Sequence, residues 1–530
     1  MRTVTGPTDH VVVVGAGLGG LSAALRLAGA GRRVTVLERA DVPGGRAGVW
    51  RADGYQFDTG PTVLTMPDLL ADAFAAVGED LADWVTLRRL DPMYRARFAD
   101  GSTIDVRADP AATAAGIEDI CGPAEAAGYL RFVELVSALY RAEMRDFIDA
   151  QLDSPLALLR PSLARLAALG AFRRLDGLVG RHLRDPRTRR LFSFQAMYAG
   201  LAPHQALGVY AVISYMDSVA GVYHAEGGMH AVPAAMAAAA TKHGVTVRYG
   251  ATVTEVEVRG GRAVAVRTAD GDRVAADVVV LNPDLPTAYR ELLPPAAAPG
   301  RLARLRYSPS CFLLLAGAGE AAHPDAGRPD PAHHTIHFGQ AWRRTFTEII
   351  SRGELMTDPS FLVSAPSLTE PGLAPAGGHA FHVLFPTPNT LAGATLDWSV
   401  LGRRYRDEVV ATLEQRGYTG FGASIAVEQV TTPADWLTRG MTAGAPFAAA
   451  HTFRQTGPFR PSNRAPGLEN VVFTGSGTRP GVGVPMVLIS GRLAAERVVG
   501  PARTRRFRPL PAGAALPATA LRNRNRLKKP

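Results

Sequence analysis

The chain of 530 residues carries a formal net charge of +10, with 47% hydrophobic and 20% charged residues and two cysteines. That length buries more than one core, so two or three domains are expected. No apolar run approaches the ~18 residues a spanning helix needs and none opens the chain, so neither a spanning segment nor a cleavable leader is expected. Cys121 and Cys311, far apart in sequence, read as core thiols in a reducing compartment rather than a disulfide or metal pair. Nine arginines and lysines between Arg503 and Lys529, with no acid among them, account for nearly all of the positive excess. This 501–530 tail has the composition of a disordered segment suited to anionic lipid. Nucleic acid is not an expected partner, since no aromatic–basic interleaving accompanies the tail.

The first element is His10 to Val14, four consecutive valines that read as a buried parallel strand, followed by Gly15-x-Gly17-x-x-Gly20 and an Ala/Leu-rich helix. Gly15 permits the tight turn, Gly17 lets backbone approach a pyrophosphate, and Gly20 lets helix and strand pack closely. The N–H groups of Leu18 and Gly19 at the helix start face the phosphates. A second strand, Val34 to Leu37, ends at Glu38, about 20 residues on, where a carboxylate takes ribose hydroxyls, with Arg39 beside it. Gly44-Gly45-Arg46 then brings backbone and a cation near the cofactor, and Gly54 to Thr62 reads as a short strand entering a rigid Gly60-Pro61-Thr62 turn. Residues 85–107 alternate with period two, as an antiparallel sheet outside the nucleotide unit does.

From about 110 to 243 the pattern is helical. Leu156, Leu159, Leu163 and Leu166 recur at helical spacing among Arg160, Arg165, Arg173 and Arg174, a pattern that fits a lipid-facing surface and internal packing equally. Pro161 must kink that helix or divide it. The chain then returns to the nucleotide unit through Val245–Val247, a hairpin at Thr252–Thr268 that sets Val253 near an adenine, and the buried strand Asp277–Leu281, stopped at Asn282 by the cofactor crevice. Residues 300–450 mix strands and helices; His333, His334 and His337 there read as a loop entering a strand, with no acid or cysteine to complete a metal shell.

The last ordered block runs from Asn470 to Met486 and into a helix, a second strand–glycine–helix element. Gly475, Gly483, Val484, Pro485 and Met486 would face the pyrophosphate–ribityl side or the flavin N1–C2=O edge, which becomes negative on reduction. A nicotinamide enzyme has no need of so distant a return, whereas FAD, long and bound extended, does. The fold class expected is therefore α/β: a Rossmann-type FAD-binding domain on a parallel sheet, with an inserted α+β substrate domain on a mixed or antiparallel sheet and a helical region. The divisions are 1–80, 220–300 and 465–500 for FAD; 81–110 and 301–464 for substrate; and 111–219 for a helical, membrane-facing subdomain.

From residue 10 to 498 the chain resembles the bacterial-type phytoene desaturases, carotenoid members of the FAD-dependent amine-oxidase-like flavoproteins. The resemblance rests on Val13 to Gly20, Gly44-Gly45-Arg46, Phe57 to Thr62, Arg184-Asp185-Pro186-Arg187, Leu191 to Gln195, Tyr223 to Met229, and Thr474 to Met486. Arg479 and Met486 depart from the family, which often has His and Gly there. The resemblance implies non-covalent FAD, phytoene carried by successive dehydrogenations toward lycopene, and oxygen or a membrane quinone as electron acceptor. It also implies peripheral attachment to the cytoplasmic side of the cell membrane, with oligomers allowed.

Such a long apolar polyene offers no polar handle, so a tunnel must orient two neighbouring C–H bonds, one losing hydride to flavin N5 and the other a proton. Asp217, the single charged residue between Gln205 and His224, is the acid–base candidate, with Asp149 and Glu226 as others. The same cofactor signature also serves other carotene desaturases, ketolases or isomerases, amine or amino-acid oxidases, and a non-catalytic FAD-binding membrane-associated protein.

Overall fold

The computed structural model describes residues 1–325 and 328–501, so the basic tail from Arg503 onward lies outside the described residues. The five strands of one sheet are all parallel, in the order Val471–Phe473, Val278–Leu281, His10–Val14, Arg33–Leu37, Thr246–Arg248. Val12 lies between Thr35 and Val279 in register. Alternation divides the valines between two cores. Val11 and Val13 join Leu21, Leu25 and Leu27 of the helix Leu18–Gly29, while Val12 and Val14 join Val256, Val266 and Leu285 on the opposite face. A strand buried on both faces is why the run is continuous rather than alternating, and each fully buried valine contributes about 1.5–3 kcal/mol.

The second sheet has seven strands, in the order Val427–Thr431, Ser310–Gly319, Gly378–Thr387, Phe361–Ser364, His334–Phe338, Tyr94–Phe98, Thr103–Val106. All its pairs are antiparallel except His334–Phe338 with Tyr94–Phe98. Its spine is a ten-residue pairing from Ser310 opposite Thr387 to Gly319 opposite Gly378. One face packs Phe312, Leu314, Phe381 and Phe385 against Tyr405 and Val409 of the helix Trp398–Gln415.

Helices fill the stretch between the two sheets' contributions. Pro110–Cys121 is capped by Asp109, and Pro123–Glu143 leaves Gly122. The Asp185-Pro186 motif has a local cause: the Asp185 carboxylate accepts from the Arg187 N–H at 2.8 Å and starts the helix Pro186–Leu191. Glu125 in turn accepts from the Arg184 and Asp185 N–H groups, which fixes that turn to the long helix. The leucine stripe at 156–166 is not one helix face. A 3₁₀ turn, Pro155–Leu158, precedes a separate helix, Pro161–Ala168, with Pro161 in its first turn, where a missing N–H costs nothing. Leu166 is buried, whereas Leu156 and Leu159 are 73% and 74% exposed.

Candidate active site

The two glycine turns meet. After His10–Val14 the Gly15 N–H donates to the Leu37 carbonyl at 2.8 Å, and the Glu38 carboxylate accepts from the Ala16 and Ala40 N–H groups at 2.7 and 2.9 Å. Glu38 therefore closes the first turn onto the second strand with two of its roughly four acceptor positions. A Cβ on Gly20 would overlap the Gly15 carbonyl oxygen, so only glycine admits this packing. The second turn leads from Val471–Phe473 into the helix Val484–Val499, which lies against Leu18–Gly29 with Ser22 Oγ donating to the Leu488 carbonyl at 2.8 Å. Asn282 is wedged under both turns. A Cβ on Gly17 would lie 2.8 Å from its Nδ2, and one on Gly475 3.0 Å from its Oδ1.

The segment after Glu38 completes the cradle. Gly44 donates to the Ala16 carbonyl at 2.9 Å, Gly45 stays exposed, and Arg46 reaches Ser476 Oγ and, at 3.4 Å, Asp284. Arg46 thus ties the first cofactor segment to the second glycine turn. Its side chain stays 30% open, while enclosure by protein holds its pKa below the usual range. The Gly60-Pro61-Thr62 turn folds onto Arg46, since a Cβ on Gly60 would overlap the Arg46 carbonyl oxygen. His382 Nε2 lies 3.0 Å from the Gly60 carbonyl, and Thr62 Oγ1 lies 3.1 Å from Ser364 Oγ, so the turn rests on the seven-stranded sheet. Asp58 accepts from the Met229 and His230 N–H groups at 2.8 and 3.1 Å, which interlocks the Phe57–Thr62 and Tyr223–Met229 motifs.

Other expected cofactor residues take different positions. Val253 opens its strand just after Ala251, whose N–H donates to the Glu38 carbonyl at 2.8 Å. Arg39 is exposed and donates to the Arg439 carbonyl at 2.7 Å. Val484 and Pro485 are buried in the first turn of their helix and Met486 is half-buried behind the exposed Gly483. Arg479 points away from the helix start, to the carbonyls of Pro458 and Arg460 at 3.3 and 3.4 Å, and is buried. Arg460, which nothing in the Phe459-Arg460-Pro461 sequence distinguishes from a loop charge, holds the second turn from behind. Fully buried, it donates to Ser476 and Thr478 carbonyls at 2.6 and 3.0 Å, and burial lowers its pKa to about 10.

These residues fit FAD. Both helix starts lack a side-chain cap, which leaves N–H groups and positive helix ends for a pyrophosphate. The Thr474 hydroxyl at the head of the second turn is buried without a partner. Gly17, Gly45 and Gly483 retain open surface inside an otherwise packed crevice. The cradle spans both chain ends, as a long extended dinucleotide requires.

The acids separate cleanly. Glu226 pairs at the surface with Arg88 at 2.6 Å, and Asp149 pairs with Arg492. Asp217, on the helix Ala211–Ser218, is buried; Ser218 donates to its Oδ1 at 2.7 Å, while Oδ2 has no partner among the described residues. Burial raises its pKa to about 7. No hydrogen bond joins it to the cradle. Burial raises the pKa of Tyr94, with Tyr198 and then Asp217 adding to it, and its ring lies 5.6 Å from that of His334. Glu143 is a second buried carboxyl with a free oxygen, its pKa raised by burial alone. It ends the long helix as one acid among several, and its sequence neighbourhood does not single it out. His334 and His337 lie on one strand and bond Ser364 and Tyr418, at 2.7 and 3.2 Å.

Known proteins match the chain along nearly its whole length. The family model described as flavin containing amine oxidoreductase matches residues 18–499. A phytoene dehydrogenase of Streptomyces griseus is 56% identical over 516 residues, covering 97% of this chain and all of that protein. A zeta-carotene-forming phytoene desaturase of Myxococcus xanthus is 37% identical, covering 92% and 94%. Among solved structures, a wild-type putrescine oxidase superposes with a TM-score of 0.59 over 93% of this chain and all of that one, at 16% identity, a likeness of fold. The chain belongs to the flavin-containing amine oxidoreductase family, in its branch of bacterial phytoene desaturases, and its cofactor is FAD.

Proposed function

We propose that the protein is an FAD-dependent phytoene desaturase that introduces successive double bonds into phytoene toward lycopene. The observation that carries this is the 56% identity along the whole of a phytoene dehydrogenase, together with a complete two-turn cradle. When bound, FAD supplies the two-electron acceptor for a CH–CH group. The chain's own residues do the rest. Arg46 and the two helix starts would hold the pyrophosphate, Glu38 the ribose, and the Gly60–Thr62 turn would border the reacting end. Asp217 accepts the substrate proton: a buried carboxyl with one unpartnered oxygen is poised to take it near neutral pH.

The substrate dissolves in lipid, and one surface suits entry from there. Leu156 and Leu159 stand exposed beside Phe453 and Phe459, whose rings are 5.9 Å apart, with Arg160 and Arg454 alongside. Apolar side chains flanked by arginines match the interface of an anionic bilayer. No helix among the described residues is long and apolar enough to cross a membrane. We assign the protein to the cytoplasmic face of the cell membrane as a peripheral enzyme, with oxygen or a membrane quinone as electron acceptor.

Incubating the FAD-loaded protein with phytoene in liposomes tests this. Visible absorption should appear and move stepwise to the red, and chromatography of the products counts the steps. Colourless phytoene recovered intact, with peroxide released from an added amine, would replace the proposal with an amine oxidase.

A further inference from the structure

Behind the Gly60–Thr62 turn lies a cluster of histidines that cofactor binding does not use. Thr62 Oγ1 is 3.1 Å from Ser364 Oγ, which is 2.7 Å from His334 Nδ1. The His334 and His333 rings are 4.4 Å apart, and those of His333 and His224 are 5.0 Å apart. His224 Nε2 meets Glu370 Oε2 at 2.8 Å, and the Glu370 side chain is 24% exposed. A cavity of about 10 Å³ touches Thr62, His224, His333, His382 and Asp58, and so offers room for one water with several polar partners. His334 Nε2 and His382 Nδ1 are buried without partners.

We propose that Thr62, Ser364, His334, His333 and His224, with one water in the cavity that Thr62, His333 and His224 border, form a proton thread between the cofactor side of the Gly60–Thr62 turn and Glu370 at the surface. The proposal rests on the FAD assignment and on that turn bordering the flavin. Hydride transfer would carry its own hydrogen to the flavin, so the thread would serve reoxidation: electrons passing alone to a quinone leave one proton behind, and reduction by electrons alone draws one in. In an apolar site closed to bulk water that proton needs a conductor. A neutral imidazole presents one donor and one acceptor and so passes a proton by exchanging which nitrogen carries it. Burial holds His334 down at about 3 and His333 well below its ordinary value, so both are neutral at pH 7 and suited to relay rather than to hold charge. Each hop breaks one O–H or N–H bond as it makes the next, and Glu370 exchanges with solvent. This path is separate from Asp217, which takes the proton of the substrate.

The test uses FAD-loaded protein without phytoene, in weak buffer with a pH-indicator dye. The flavin is reduced by a flash-generated deazaflavin radical; its bleaching times electron arrival and the dye times proton uptake. Wild-type uptake should keep pace with bleaching. In His224→Phe and in Glu370→Gln, uptake should lag by about tenfold or more at unchanged flavin content. Glu370→Gln keeps the shape of the side chain it replaces and so serves if His224→Phe does not fold. Uptake that keeps pace with bleaching in Glu370→Gln or in His224→Phe overturns the thread and leaves the desaturase reading standing. Wild-type protein that takes up no FAD overturns both.

Discussion

The cofactor cradle and the segment from Leu156 to Phe172 solve opposite problems. In the cradle the strand His10–Val14 is buried on both faces, Asn282 and Arg46 connect turns drawn from both ends of the chain, and Arg460 holds the second turn from behind. In the segment, Leu156, Leu159 and Phe172 present half or more of their surface to solvent, and the short helix Pro161–Ala168 buries Leu166. A site that must hold a charged dinucleotide needs its N–H groups aimed and its neighbours immobile. The proposed lipid-facing surface needs apolar side chains left free.

The sharpest break of that contrast is Gly20→Ala. Even a methyl group there collides with the Gly15 carbonyl oxygen, so the turn must open and the helix start lose its aim. The purified variant should lack the visible flavin spectrum that wild type carries. Full flavin content in this variant would mean that the first turn is not the binding element.

How much of this contrast the sequence announces differs between the two regions. The cradle is legible because its requirements are local: four valines, three glycines and an acid at a set spacing dictate one geometry. What supports it is not. Arg460 acts through carbonyls of irregular loops on either side of it, and the histidines around His334 through a sheet register that no local pattern carries. Asp217 was visible as a lone acid in an apolar run, but Glu143, equally buried, ends a helix of ordinary composition. The leucine stripe divides at Pro161, as the proline requires. Helical spacing persists across Pro161 in the sequence, while the backbone restarts there and sends Leu156 and Leu166 to different surroundings.

A smaller effect, set between the two regions, is expected from Asp217→Asn. With the folded-state pKa raised to about 7 against an ordinary 3.8, the native protein binds the extra proton between those values. Stability at this group therefore falls as pH rises from about 4 to about 7 and is level above. The asparagine variant should lack that slope and gain on the order of 4 kcal/mol at most at pH 8 relative to pH 4, read from urea midpoints. If Asp217 takes the substrate proton, wild-type kcat/KM rises with pH to a plateau above about 7, and the variant loses both that limb and roughly a hundredfold or more in rate. A variant that keeps the limb would move the assignment to Glu143.

The smallest expected effect tests the open face directly. Leu156→Ser with Leu159→Ser removes two side chains that pack against almost nothing, so the thermal midpoint and flavin content should stay within error of wild type. Membrane partitioning should not. A leucine transferred from water to an apolar environment contributes about 1.5–3 kcal/mol when fully inserted, and interfacial insertion reaches part of that. The double variant should therefore bind anionic vesicles roughly tenfold to a hundredfold more weakly by sedimentation. Its turnover of phytoene in liposomes should fall in step, while flavin photoreduction in solution is untouched. Equal vesicle binding by variant and wild type would place the lipid contact elsewhere and leave Leu156 and Leu159 as surface without a partner. The comparison then reduces to its cradle half, since the rigid part would keep its assignment while the open part lost its reason for being open.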